Sequence, residues 1–119
     1  MRIPSRVLSK LYEEIERAES LHPNWPENPF IQLAIIQEEV GEVTKALLDL
    51  NHSAAAQATN VQNPTQMGFV EQSKAVAEAE LNKKEMHLEN ELIQTAAMCI
   101  RMLSWMNDEE TGNQNTSQA

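Results

Sequence analysis

A chain of 119 residues accommodates one domain with a modest core. Its net charge of −9, from 18 acidic and 9 basic residues, excludes a DNA- or RNA-backbone binder, because that affinity rests on clustered lysine and arginine. Only 3 glycines and a 4% aromatic share, beside abundant Ala, Leu, Glu, Gln and Met, make an all-α fold the first expectation.

The first helix is expected from about Ser5 to Leu21. Ile3, Val7, Leu8, Leu11, Ile15 and Ala18 form its apolar stripe, with Ser5 as N-cap. Pro23, Pro26 and Pro29 then force an extended loop around Trp25. A second helix follows from Pro29 or Phe30 to about Leu50. Leu33, Ile36, Val40, Val43, Leu47 and Leu50 alternate spacings of three and four, the pattern of a bundle seam. Residues 51–69 are rich in Ala, Gln, Asn and Thr, with Pro64 and Gly68 as breakers, and read as a loop or insertion, with a helical turn near Ala54–Ala58 as an option.

Helical composition resumes near Val70 and continues to about Asn107. Leu92, Ile93, Ala96, Ala97, Cys99, Ile100 and Leu103 fill one broad face of this third helix, while Met98, Met102 and Trp105 lie on another. A helix apolar over so wide an arc is buried on two sides. In so short a chain a second subunit is the expected cover, with a central helix in a monomeric bundle as the alternative. Residues 108–119 are polar, lack an apolar period and read as a disordered tail, which leaves one helical domain over residues 1–107. The single cysteine, Cys99, excludes an intramolecular disulfide and reads as a packing residue. No apolar run approaches the ~18 residues of a membrane span. A cytoplasmic protein with no membrane partner is expected.

The chemistry concentrates in Gln37-Glu38-Glu39-Val40-Gly41-Glu42-Val43. Glu39 and Glu42 stand one turn apart on one side of the second helix. At 100° per residue they lie about 60° and 120° from the centre of the apolar seam. Glu91 and Gln94 repeat that spacing on the third helix. Two antiparallel helices packed on their seams bring the pairs opposite each other. The result is three carboxylates and an amide oxygen, suited to Mg²⁺. A divalent cation would also reconcile an acidic protein with a polyphosphate ligand. The competing reading is solvated acidic surface, and spacing by itself leaves the two even.

Glu38-Glu39-Val40-Gly41-Glu42 resembles the EExxE motif of the MazG-like superfamily of all-α nucleotide pyrophosphohydrolases. Glu91-Leu92-Ile93-Gln94-Thr95-Ala96-Ala97-Met98 resembles that superfamily's ExxD motif, with Gln94 where many members have Asp. Together with Asn24-Trp25-Pro26, Lys45-Ala46 and the run from Glu91 to Leu103, these segments look like the short phage- and integron-borne MazG-like proteins. The likeness covers roughly residues 21–50 and 88–105.

The resemblance implies a bundle of three main helices completed by oligomerisation, as a homodimer or homotetramer. It implies hydrolysis of nucleoside triphosphates, dNTPs foremost, to monophosphate and pyrophosphate in a nucleotide-pool, house-cleaning role. Mg²⁺ is the implied cofactor, with Mn²⁺ as an option. Glu39, Glu42, Glu91 and Gln94 become the metal ligands, and Glu38, about 160° from the seam, activates or orients water. Trp25, His87 and Lys84 become the candidates for substrate contact. For each a plain reading stands beside this: a loop aromatic closing the bundle's end, a surface histidine, and charge on a solvated helix face shared by Lys83, Lys84 and Arg101. The alternative function is a catalytically weak nucleotide-binding or regulatory helical oligomer.

Overall fold

The computed structural model describes residues 1–60 and 67–117, with side chains at 1–57 and 74–108. Among the described residues the chain forms three helices: α1 (Ser5–Leu21), α2 (Pro29–Asn60) and α3 (Met67–Ser117). None is long and apolar enough to cross a membrane. The all-α expectation holds, and the boundaries refine it.

α1 spans the expected residues, but the capping position falls one residue earlier. Pro4 is the N-cap, and its carbonyl accepts from the Val7 and Leu8 amides. α2 begins where the loop chemistry dictates. Asn28 Oδ1 accepts the Phe30 amide at 2.9 Å, and Pro29 occupies the first helical position, where a missing N–H is harmless. The Asn28 carbonyl adds bonds from the Ile31 and Gln32 amides.

The loop expected over 51–69 is corrected at 51–60 and 67–69: α2 continues to Asn60 and α3 starts at Met67, Ala and Gln being strong helix formers. Residues 61–66, Pro64 among them, lie outside the described residues. The polar segment from Asp108, expected to be disordered, continues α3 as far as Ser117.

The chain divides into two compact units, Met1–Val40 with Ile93–Ala119, and Gly41–Leu92. In the first, Ala18, Ala97 and Met98 form the core. Two alanines at a helix crossing allow α1 and α3 to approach closely. Leu11, Ile15, Trp25, Ile35 and Ile36 pack around them. Met98, read from sequence as lying on a second, partner-facing side, is thus core of its own chain. Cys99 is exposed rather than packed.

In the second unit α2 and α3 run antiparallel. Lys84 Nζ reaches Asp49 Oδ1 at 3.4 Å and Ser53 Oγ, and Gln57 Nε2 donates to the Ala77 carbonyl. Rising numbers on α2 therefore meet falling numbers on α3. Ala46 is buried in this unit, with Val43 and Leu50 half-buried.

The expected seam of α2 is displaced. In the first unit Gln32 is fully buried and Ile35, Ile36 and Glu39 are half-buried, whereas Leu33 and Val40 are 46% and 47% exposed. In the second unit Leu47 is likewise outside. The inward face of the first unit's α2 segment is therefore centred on Gln32, Ile35 and Glu39, not on Leu33 and Val40.

Candidate functional site

The first unit holds a cavity of about 370 Å³. α1 supplies Glu14 and Arg17, the proline-rich loop Trp25, α2 Glu39, and α3 Gln94 and Arg101. Of the residues named from sequence as metal ligands or substrate contacts, Trp25, Glu39 and Gln94 meet here, joined by Arg101, which was read as charge on a solvated face. Glu39 is inward for a simple reason: it lies seven residues, two helical turns, after the buried Gln32. Gln94 and Arg101 share one face of α3 by the same spacing.

The loop is held from two sides. Gln32 Nε2 donates to the Pro26 carbonyl at 2.6 Å, and Arg101 Nη2 donates to the His22 carbonyl at 2.6 Å. Between these anchors the guanidinium carbon of Arg101 lies 4.6 Å from the centre of the Trp25 ring, a cation–π contact. Trp25 therefore packs on the core with a guanidinium against its ring, which joins the plain reading of a bundle-end plug to a cavity-lining role. Two enclosed polar atoms, Trp25 Nε1 and Gln32 Oε1, have no partner among the described residues.

On α1, Arg17 clasps Glu14 through two bonds, Nε to Oε2 at 2.9 Å and Nη2 to Oε1 at 2.6 Å. The Glu14 hydrogen bond, the Glu14 charge and a smaller contribution from Glu39 all raise the Arg17 pKa, against a small opposing cost of burial. Arg17 thus stays charged and contributes positive potential beside Glu39.

The other candidates belong to the second unit or to open surface. Glu42 is exposed, with Lys45 3.6 Å away, and Glu91 is largely covered, with His87 Nε2 at 3.9 Å. Counting along both helices from the Asp49–Lys84 contact puts Glu42 level with Glu91 within that unit. Lys84 bridges Asp49 and Ser53, so it is a hairpin cross-link. His87 is exposed beside Glu91. Glu38 is exposed and does not line the cavity. Among the described residues no three His, Cys, Asp or Glu side chains are gathered as a ready metal cluster. The donor types named from sequence are hard oxygen ligands, which fit Mg²⁺ chemically.

Sequence reasoning missed Glu14, Arg17, Gln32 and the burial of Arg101. Gln32 was legible in principle from its place seven residues before Glu39, whereas the burial of Arg101, 8% exposed, rests on its loop contacts. Glu14 and Arg17 carry no such signal, being an ordinary i,i+3 pair. Comparison with protein families, with curated proteins and with solved structures gives no match.

Proposed function

We propose that this protein hydrolyses nucleoside triphosphates to monophosphate and pyrophosphate, with Mg²⁺ as cofactor and as an oligomer. The observation that carries the reading is the convergence of Glu39, Gln94 and Trp25, each named from the MazG-like motifs, on one cavity. The level register of Glu42 and Glu91 in the second unit adds support. In this reading the motifs name Glu39 and Gln94 as oxygen ligands within the first unit and Glu42 and Glu91 within the second. A bound Mg²⁺ would offset phosphate charge at the α-phosphorus. Water adds there, the bond to the oxygen bridging the α- and β-phosphates breaks, and pyrophosphate leaves. Glu38 takes the proton from water in this scheme. Because Glu38 is exposed in the single chain, that role requires ligand or a partner chain on its side of α2.

Association rests on the surface. Phe30 is 80% exposed, and Ile31, Leu33 and Val40 in the first unit and Leu47 and Leu48 in the second are about half exposed. Exposed apolar side chains of this size, such as Leu33 and Val40 two turns apart in the first unit, are the kind of surface that association covers. A second copy of the chain is the occupant this reading takes. Gln94 favours one alternative, a weak nucleotide-binding module, since an amide removes a negative charge from the ligand set. Pyrophosphate release from mixed dNTPs, with and without Mg²⁺, separates the two.

A further inference from the structure

Arg101 is a buried cation with no carboxylate bonded to it among the described residues. It is 8% exposed. Its contacts among the described residues are one carbonyl, that of His22, and the Trp25 ring. No carboxylate pairs with it among those residues. A guanidinium carries five N–H donors in a planar fork, and enclosing it without a carboxylate is costly. An indole face and a single carbonyl offset only part of that cost.

Arg101 also lines two cavities. One is the cavity of about 370 Å³ described above; the other, of about 320 Å³, is bordered by Glu19, Ser104, Trp105 and Asp108, and Trp25 lines both. The stacked pair is therefore shared by the two. In the first cavity the formal charges of Arg17 and Arg101 balance those of Glu14 and Glu39. In a chain of net charge −9, that makes it less repulsive to an anion than the acidic remainder of the molecule. Arg17 is already clasped by Glu14, which leaves Arg101 to meet a ligand.

We propose that the Arg101 guanidinium, fixed by the His22 carbonyl and backed by the Trp25 ring, binds an oxyanion, a phosphate or carboxylate group, in this cavity. Planar, bidentate recognition of such groups is what the arginine fork does better than lysine. The inference deepens the reading under Proposed function, on which it rests for the identity of the natural ligand, by naming a protein contact for the substrate's phosphates. The contact itself is measurable without turnover.

The experiment titrates the full-length wild-type chain with inorganic tripolyphosphate, and separately with citrate, in the presence of EDTA. It follows the Arg101 Nε–Hε resonance and the dissociation constant at two ionic strengths. The expected result is a saturable shift of that resonance, with binding weakened by salt. Arg101→Met should weaken binding at least tenfold, and Arg101→Lys should weaken it less. The stronger of the two probes assigns the oxyanion type. An unmoved Arg101 resonance, or Arg101→Met binding as wild type does, overturns the proposal. Should Arg101→Met fail to fold, the resonance in the wild-type chain still decides. Arg101-dependent binding without any pyrophosphate release from dNTPs and Mg²⁺ sinks the enzymatic reading and leaves this one standing. Turnover with an unmoved Arg101 does the reverse.

Discussion

Gln32 offers a test in which two buried terms of similar size oppose each other. Its side chain is fully enclosed; Nε2 bonds the Pro26 carbonyl at 2.6 Å, while Oε1 has no partner among the described residues. Replacing Gln32 by Leu removes the bond, a loss of about 1 kcal/mol, or up to ~3 if the carbonyl then stays unsatisfied. The same change removes the enclosed orphan oxygen, which returns about 1–3 kcal/mol. Leu fills nearly the same volume, so the cavity contribution is small. The net change should lie within about 1 kcal/mol of zero. Gln32→Ala differs because it also opens a void, and large-to-small changes at enclosed sites cost about 2–5 kcal/mol. Urea unfolding followed by circular dichroism, at one fixed chain concentration because association contributes to stability, should show Gln32→Ala clearly destabilised and Gln32→Leu close to wild type. In both variants the emission of Trp25 should change, since the loop loses its Pro26 anchor. A destabilisation of about 2 kcal/mol or more by Gln32→Leu would refute the reasoning, for it would mean that the bond outweighs the orphan oxygen.

Two further outcomes follow from the surface and the motif. A Cβ at Gly41 meets nothing within 4 Å and the residue has no positive φ, so Gly41→Ala should stabilise the protein by about 0.5–1 kcal/mol through helix propensity, read as a raised urea midpoint with activity retained. Leu33→Lys and Leu47→Lys should keep the helix content, both sites being about half exposed in the single chain, yet shift sedimentation to smaller species; an unchanged sedimentation coefficient in both would remove this face from the interface.

The all-α class and the start of α2 were legible because they depend on local chemistry: helix-forming composition, a run of prolines, and Asn28 before Pro29. The inward face of α2 was not. An apolar seam marks surface removed from water, but it does not say whether the chain's own core or a partner does the covering. Leu33 and Val40 carried the stronger pattern, while the face turned to the core holds Gln32 and Glu39. A polar residue at an inward position looks like an interruption until its partner, here the Pro26 carbonyl, is known. Arg101 was misread for the same reason. Its burial depends on a loop carbonyl and a tryptophan more than seventy positions away, contacts that no helical period encodes. That Glu39 and Gln94 line one cavity was foreseeable, because a polar pair repeated at the same spacing on two helices is a pattern of sequence. The helix through residues 51–60 was missed because low-complexity polar text gives no periodicity, although its residues favour helix.

Mg²⁺-dependent hydrolysis at Glu39 is decided by the pyrophosphate released from mixed dNTPs by the wild-type chain and by Glu39→Gln, each with Mg²⁺ and with EDTA. The wild type should release pyrophosphate only with Mg²⁺, and Glu39→Gln none above background, with its helical circular dichroism unchanged. Near-normal release by Glu39→Gln, or no release by the wild type with Mg²⁺, would contradict hydrolysis at Glu39.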